Sequence, residues 1–372
     1  MKAKTLRPWL TLPVALALAT LACGVGGSSN PPTETPSPVQ ETAAPKPKPT
    51  VTKAAPKPTQ AAQETRAAPA PLSLSDKPYD HPSGAFSITL PDGWDVEERD
   101  DGLFTSSPDN VASIDVSFVN VGVELTAEEL ETFINAVEAN WFGSFQDYQE
   151  ESREPQDDGS LGILKTLKLN DGTEQTVFSY YELRGTVVYE QDYWVNSDEF
   201  DAYESGLVDM ANTMTIDETA GAEAPMYNST YTFTGPENLF EMRVPYSWTY
   251  ATDSSDTAIV DTFTSPDGLS QIENIAYDDG TEVSKSQAGA VALALLKEYY
   301  EVNDIKVTGD EVQADGSERL TWNSASKGWD GVSFFETRGT TFLLLTWIVD
   351  ADSYDLYEPV WSATVESYTT PE

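Results

Sequence analysis

Apolar and polar residues alternate with a period of two in several short stretches of the chain, as a half-buried strand requires. In "FSITLPDGW", Phe86, Ile88 and Leu90 alternate with polar neighbours before Pro91 stops the ladder and Trp94 supplies a large apolar anchor. Short strands are predicted near 86–90, 102–105 and 112–119. The period then changes in "LTAEELETFINAVEANWF". Thr126 with Glu129 three residues on reads as a capping box, and Leu130, Phe133, Ile134, Val137 and Trp141 mark one apolar helical face. Strands near 160–169, 175–183 and 186–195 follow, the last two joined by a turn at Arg184-Gly185 in which glycine can take a positive φ. A closing helix is predicted from about Asp198 to Met210.

The same phrases recur 154 residues later. "FEMRVPYSW" begins at Phe240 as "FSITLPDGW" does at Phe86, "FETRGT" at Phe335 answers "YELRGT" at Tyr181, and "YDLYE" at Tyr354 answers "FDAYE" at Phe200. "SSPD" and "TSPD", ending at Asp109 and Asp267, differ by 158, so the second copy gains about four residues early and loses them later. Ser284 and Gln287 repeat the capping box, Val291, Leu295 and Leu296 the stripe, Arg338-Gly339 the turn, and the chain from Asp352 onward the closing helix. A period this long is that of a domain rather than a solenoid repeat, which implies tandem duplication. "TFLLLTWIV" is apolar on both faces, so it is expected to be a central strand covered on both sides.

This element order, with the strand leading into "PDGW", resembles the superfamily that includes PsbP of photosynthetic membranes and the bacterial lipoproteins DcrB and LpqN. The resemblance covers about 80–216 and 229–370 and rests on a P-x-x-W turn and a helix pattern. It implies an α+β fold of two tandem three-layer sandwiches, each an antiparallel sheet flanked by helices. It implies no particular ligand, because members of that superfamily serve as binding or assembly factors with different partners.

Composition adds a location. Lys2, Lys4 and Arg7 precede an apolar run from Trp9 to Leu21, followed by Ala22 and Cys23, the layout of an export signal. "TLAC" resembles a bacterial lipobox and assigns Cys23 as a lipidation site; an ordinary secreted protein that loses this cysteine with its signal is the other reading. Cys23 is the only cysteine, so no internal disulfide is available. The following stretch is rich in Pro, Thr, Ala and Lys and too poor in apolar residues to offset the entropy of ordering, which makes it a disordered tether. Residues 1–72 carry eight basic and three acidic residues; residues 73–372 carry 13 and 59, a net of −46. That excludes nucleic acid as a partner.

Catalytic chemistry finds little support. His81 is the only histidine, so a Ser-His-Asp device would depend on one residue placed before the first strand, and no cysteine beyond Cys23 can serve a transition metal. The acidic turns at Asp100, Asp101, Asp157, Asp158, Asp171, Asp278 and Asp279 are of a kind calcium could use, but none fits the twelve-residue calcium loop and Asp-Gly is ordinary turn composition. Trp94, Trp141, Trp194, Trp248 and Trp347 fall where aromatics fill cores, and the pairs Glu182/Arg184 and Glu336/Arg338 read as solvated turn salt bridges. No catalytic, cofactor-binding or metal-binding residue is assigned.

The resulting expectation is a signal peptide over 1–22, a lipidated cysteine and tether over 23–72, and two PsbP-like domains over 73–222 and 223–372, each with enough elements to fold alone. The expected function is a non-catalytic binding or assembly module outside the cytoplasmic membrane, held by its lipid and meeting an envelope protein or glycan. A glycan-directed hydrolase using paired carboxylates is the alternative, because a fold this acidic brings two carboxylates together by chance.

Overall fold

The named strands pair antiparallel throughout: most neighbours in a sheet are consecutive in sequence and joined by short turns, while one helix in each copy carries the chain across to the far edge of its sheet. The computed structural model describes residues 72–156, 158–227, 229–314 and 316–370. The export segment, Cys23, the tether to residue 71 and Asp157 lie outside them.

In the first copy a small sheet of β1 (Tyr79–Asp80), β2 (Phe86–Ile88) and the later β10 precedes β3 (Asp95–Arg99), β4 (Gly102–Ser106) and β5 (Ala112–Asn120). Helix α1 (Ala127–Val137) continues as a π-helical turn, Glu138–Phe142, and leads to β6 (Gln146–Pro155), β7 (Leu161–Lys168), β8 (Glu174–Arg184) and β9 (Val187–Asn196). Helix α2 (Phe200–Ala211), β10 (Thr215–Ile216) and α3 (Glu218–Ala222) close it. The second copy runs β11 (Thr230–Thr234), β12 (Glu241–Pro245), β13 (Thr249–Ser254), β14 (Ala258–Thr264), β15 (Ser270–Tyr277), α4 (Lys285–Tyr299), β16 (Lys306–Val312), β17 (Glu318–Ser324), β18 (Trp329–Arg338), β19 (Thr341–Asp350) and α5 (Tyr354–Ser367). The two seven-stranded sheets have one order, β3-β4-β5-β9-β8-β7-β6 and β13-β14-β15-β19-β18-β17-β16. The duplication read from the sequence is therefore a duplication of topology, and "TFLLLTWIV" is the central strand β19, buried from Phe342 to Val349.

Both capping boxes form: Glu129 N donates to Thr126 Oγ1, Thr126 N to Glu129 Oε2 at 2.6 Å, and Ser284 and Gln287 repeat the arrangement. The hairpin turns fall one residue later than read, at Gly185-Thr186 and Gly339-Thr340, because Arg184 and Arg338 still pair with Val187 and Thr341. The glycines take φ of 58° and 62°.

Two of the sequence expectations change. Trp141 does not lie in the apolar stripe, because the π-helical turn adds a residue to that turn; Phe142 takes the fully buried place and Trp141 is 38% exposed. Nor are the copies self-contained. Phe133, Ile134 and Val137 of α1 share one apolar cluster with Trp248, Phe263, Trp347 and Tyr357 of the second copy, so a single core runs through both. The outer faces have cores of their own, under α2 in the first copy and under α4 in the second.

Candidate functional site

The α1 face of the first sheet carries a row of charged side chains where a core is expected. Strand alternation sets Asp115 and Ser117 of β5, Glu190 and Asp192 of β9, Ser179 and Tyr181 of β8 and Lys165 of β7 on this one face, with Asp115 opposite Asp192 and Glu190 opposite Tyr181. Arg99 enters from the edge strand β3. It crosses over Gly102, where a Cβ would lie within 2 Å of Val116 O.

Each cation is engaged. Arg99 makes a two-pronged ion pair with Asp115, Nη1 to Oδ2 at 2.9 Å and Nη2 to Oδ1. Lys165, fully buried, gives its ammonium to Glu138 Oε1 at 2.6 Å and sits 3.2 Å from the centre of the Phe142 ring. Glu138, from the π-helical turn, also accepts from Tyr148 at 2.9 Å. Tyr181 Oη stands 2.8 Å from Glu138 Oε1 and 2.7 Å from Glu190 Oε1. One hydroxyl has one proton to donate, so the second short contact is best satisfied by a protonated carboxyl. Glu190 fits that role: burial, then the charge of Asp192, hold its carboxyl well above the usual range. Burial likewise pushes Asp192 up to about 7, opposed by Lys165 and by the hydroxyl of Ser179, which donates to it.

The second copy shows what the scaffold does without these charges. Equivalent positions follow from register, since Ser333 stands opposite Thr346 as Ser179 does opposite Asp192. Glu138, Lys165, Tyr181, Glu190 and Asp192 then correspond to Leu296, Trp322, Phe335, Leu344 and Thr346, all buried, four of them in an apolar core. The same fold closes with Leu, Trp and Phe at these sites, so the charges are not a requirement of the fold.

Beside the row, the first sheet, the end of α1 and the second copy's first hairpin enclose a cleft of about 520 Å³. Asp115, Ser117, Glu190 and Asp192 line it from the sheet, Trp141 and Val137 from the helix, and Tyr246, Ser247 and Arg243 from the second copy. Asn140 fixes this wall by donating to Tyr246 O at 2.7 Å and Trp248 O at 2.9 Å. Trp141 meets Tyr246 edge-on at 5.2 Å. Ser247 is 2% exposed and its Oγ has no hydrogen-bond partner.

None of Glu138, Lys165, Glu190 or Asp192 belongs to a local motif that marks a site. A signal was present: "VVYEQDYWV" aligns with "TFLLLTWIV" and puts two acids, two residues apart, in a central strand. Residues that were weighed have structural roles. His81 is 3% exposed, bonds Ser83 and Arg99 O, and stacks on Phe86 at 4.9 Å. Asp158, Asp171, Asp278 and Asp279 accept from the backbone N–H two residues on, as turn-capping aspartates do. Asp101 lies 3.6 Å from Arg99, and Asp100 lines the mouth of the cleft. Among the described residues no three His, Cys, Asp or Glu side chains converge as a metal-ion donor set. The pairs Glu182–Arg184 and Glu336–Arg338 form as read.

No protein-family model matches the sequence, and no curated protein matches it. Among solved structures, the chain is similar to cyanobacterial PsbP (CyanoP) from Synechocystis sp. PCC 6803, at 12% identity over 43% of this chain and 100% of that one, with a TM-score of 0.33. It is also similar to the Ran-binding protein Mog1p of Saccharomyces cerevisiae, at 13% identity over 40% of this chain and 99% of that one, TM-score 0.30. A putative regulator of unknown function from Pseudomonas aeruginosa matches at 12% identity over 40% and 99%, TM-score 0.27.

Proposed function

We propose that this chain is a non-catalytic binding module, held outside the cytoplasmic membrane by a lipid on Cys23, whose ligand site is the cleft between the two copies. The observation that carries the reading is the divergence of the duplicate: a charged row opens onto a cleft in the first copy, where the second copy has a largely apolar core that keeps the buried carboxyl of Glu273. Buried charge is costly to keep, and a function is the simplest reason to keep it on a scaffold that closes without it. The anchor rests on "TLAC" and the export-signal layout. Its ligand is an envelope protein or glycan.

A hydrolase acting on glycans has one observation in its favour, namely two neighbouring carboxyls, Glu190 and Asp192, both held above their usual range by burial along one wall. The occupancy of those groups weighs against it: Asp115 is locked to Arg99, Asp192 accepts from Ser179, and Glu190 is held by its short contact with Tyr181. None is left as a free nucleophile or base.

The test is capture from envelope extracts by the full chain and by Ser229→Trp, which places a bulky ring at the mouth of the cleft. A partner retained by the wild type and lost by Ser229→Trp is the expected result. Equal capture by both would sink the assignment of the site.

A further inference from the structure

We propose that the cleft takes a cationic nitrogen group, a primary ammonium or a guanidinium, held by Asp192 and Glu190 with Ser247 Oγ as a third acceptor. The inference rests on the cleft being the binding site and adds the class of ligand.

Three independent features point to a cation. The first is the disposition of charge. Arg99 and Lys165 are committed to Asp115 and Glu138, while Asp192 and Glu190 have hydroxyl partners only and no Lys or Arg nitrogen within 4.0 Å among the described residues. The second is a repulsion that the duplicate has relieved. Asp192 stands directly opposite Asp115 on the neighbouring strand, an unfavourable like-charge pair, whereas Thr346 faces Glu273 at the same place in the second sheet. A ligand cation between the strands would turn that repulsion into attraction.

The third is Ser247. A buried hydroxyl without a partner loses its hydrogen bonds to water and gains none in return. Ser247, with this buried and unpartnered hydroxyl, is one of the residues that the second copy contributes to the cleft wall. An N–H donor bound at this wall would give that oxygen the partner it lacks, which an anion or an apolar group cannot do. At the rim, half-exposed Trp141 offers an aromatic face on which an ammonium or guanidinium can rest. The guanidinium of Arg243, which donates to Thr230 and keeps its charge, also lines the cleft, but it and Arg99 are outnumbered there by Asp100, Asp101, Asp115, Glu190 and Asp192.

A free polyamine and a basic side chain on a peptide share this chemistry. Titration calorimetry of the full chain with spermidine, with an N-terminally acetylated and C-terminally amidated Ala-Lys-Ala peptide, with its arginine counterpart and with the same lysine peptide acetylated also at Nε separates them. We expect saturable binding of spermidine or of a basic peptide and none of the acetylated one. The double variant Asp192→Asn, Glu190→Gln should weaken binding on the order of tenfold or more, and Ser247→Ala by a few fold, each with a melting curve showing that it folds. Asp310→Asn with Glu311→Gln, on the exposed edge strand β16, should leave it unchanged and so separates the cleft from the general acidity of the surface. No binding of any cationic probe, equal binding of the acetylated peptide, calcium binding through the same acids in place of amine binding, or equal weakening by the β16 variant would each overturn the proposal. If the amine proposal fails while Ser229→Trp still abolishes capture, the cleft remains the site and only the ligand class is wrong.

Discussion

The side-chain amide of Asn140 hydrogen-bonds the carbonyl of Trp248 at 2.9 Å, tying the end of the first copy's helix to the backbone of the phrase that opens the second copy. The Trp248 ring is fully buried and meets Tyr227 and Tyr357 edge-on at 5.7 and 6.0 Å. Its cluster includes Phe133 and Val137 of the first copy, so removal of that copy would expose much of the surface around it. Residues 223–372 expressed alone are therefore expected to unfold at a clearly lower urea concentration than the whole chain. An unchanged midpoint would mean that the shared core adds nothing.

Trp94 and Trp248 hold equivalent places in the sequence but not in the packing, since Trp94 is only partly buried against the cluster under α2. Trp248→Ala should cost about 3–5 kcal/mol through the cavity it leaves. Trp94→Ala should cost about 1–2 kcal/mol. Equal losses in denaturant titrations would contradict this difference in burial.

What could be read in advance followed periodicity. Strands β5, β8, β9 and β19 and both capped helices bury one or both faces and so announce themselves by apolar spacing. Edge strands β3, β6, β13 and β16 were not legible, because they are exposed along nearly their whole length and an all-polar strand has no alternation to detect. Trp194 misled in another way: it lies on a central strand but only half-buried, stacked on Phe142 at 5.4 Å in a satellite cluster. The site was hidden because its residues come from β5, β7, β9 and a π-helical turn, and no local motif brings Lys165 to Glu138 across 27 positions.

Asp192 sets a pH dependence whose sign can be stated. Its carboxyl is raised from 3.8 to about 7, chiefly by burial, so between those values the folded chain holds a proton that the unfolded chain has released. Its contribution to stability is thus present at low pH and is lost as pH rises towards 7. Glu190, Asp115, Glu138 and Lys165 act on the same group, so the comparison to make is with Asp192→Asn, whose stability profile should be flatter over this interval. Cation binding should run the other way and strengthen as pH rises through 7. Superimposable stability profiles would show that Asp192 titrates as an exposed acid.

Cys23 carries the whole proposed attachment, since the chain has no second cysteine and no helix among the described residues is long and apolar enough to cross a membrane. Cys23→Ser should move the protein from the membrane fraction to the medium. Wild-type protein found free in the medium at full length would remove the anchor.

The charged row itself can be tested by making the first copy resemble the second. Lys165→Met alone leaves Glu138 buried beside Tyr148 and Tyr181 without its cation, and breaking a buried pair in this way costs about 3–5 kcal/mol. Replacing the set together, with Glu138→Leu, Lys165→Trp, Tyr181→Phe, Glu190→Leu and Asp192→Thr, removes the charges of Glu138, Lys165, Glu190 and Asp192 at once, leaves the half-buried Arg99–Asp115 pair, and installs the residues found at these places in the second sheet. That variant should be as stable as the wild type or more stable by about 1–4 kcal/mol, and it should lose cation binding entirely. A marked loss of stability in the fivefold variant, measured by denaturant unfolding, would show that the network holds the first copy together and would withdraw the main ground for reading it as a binding site.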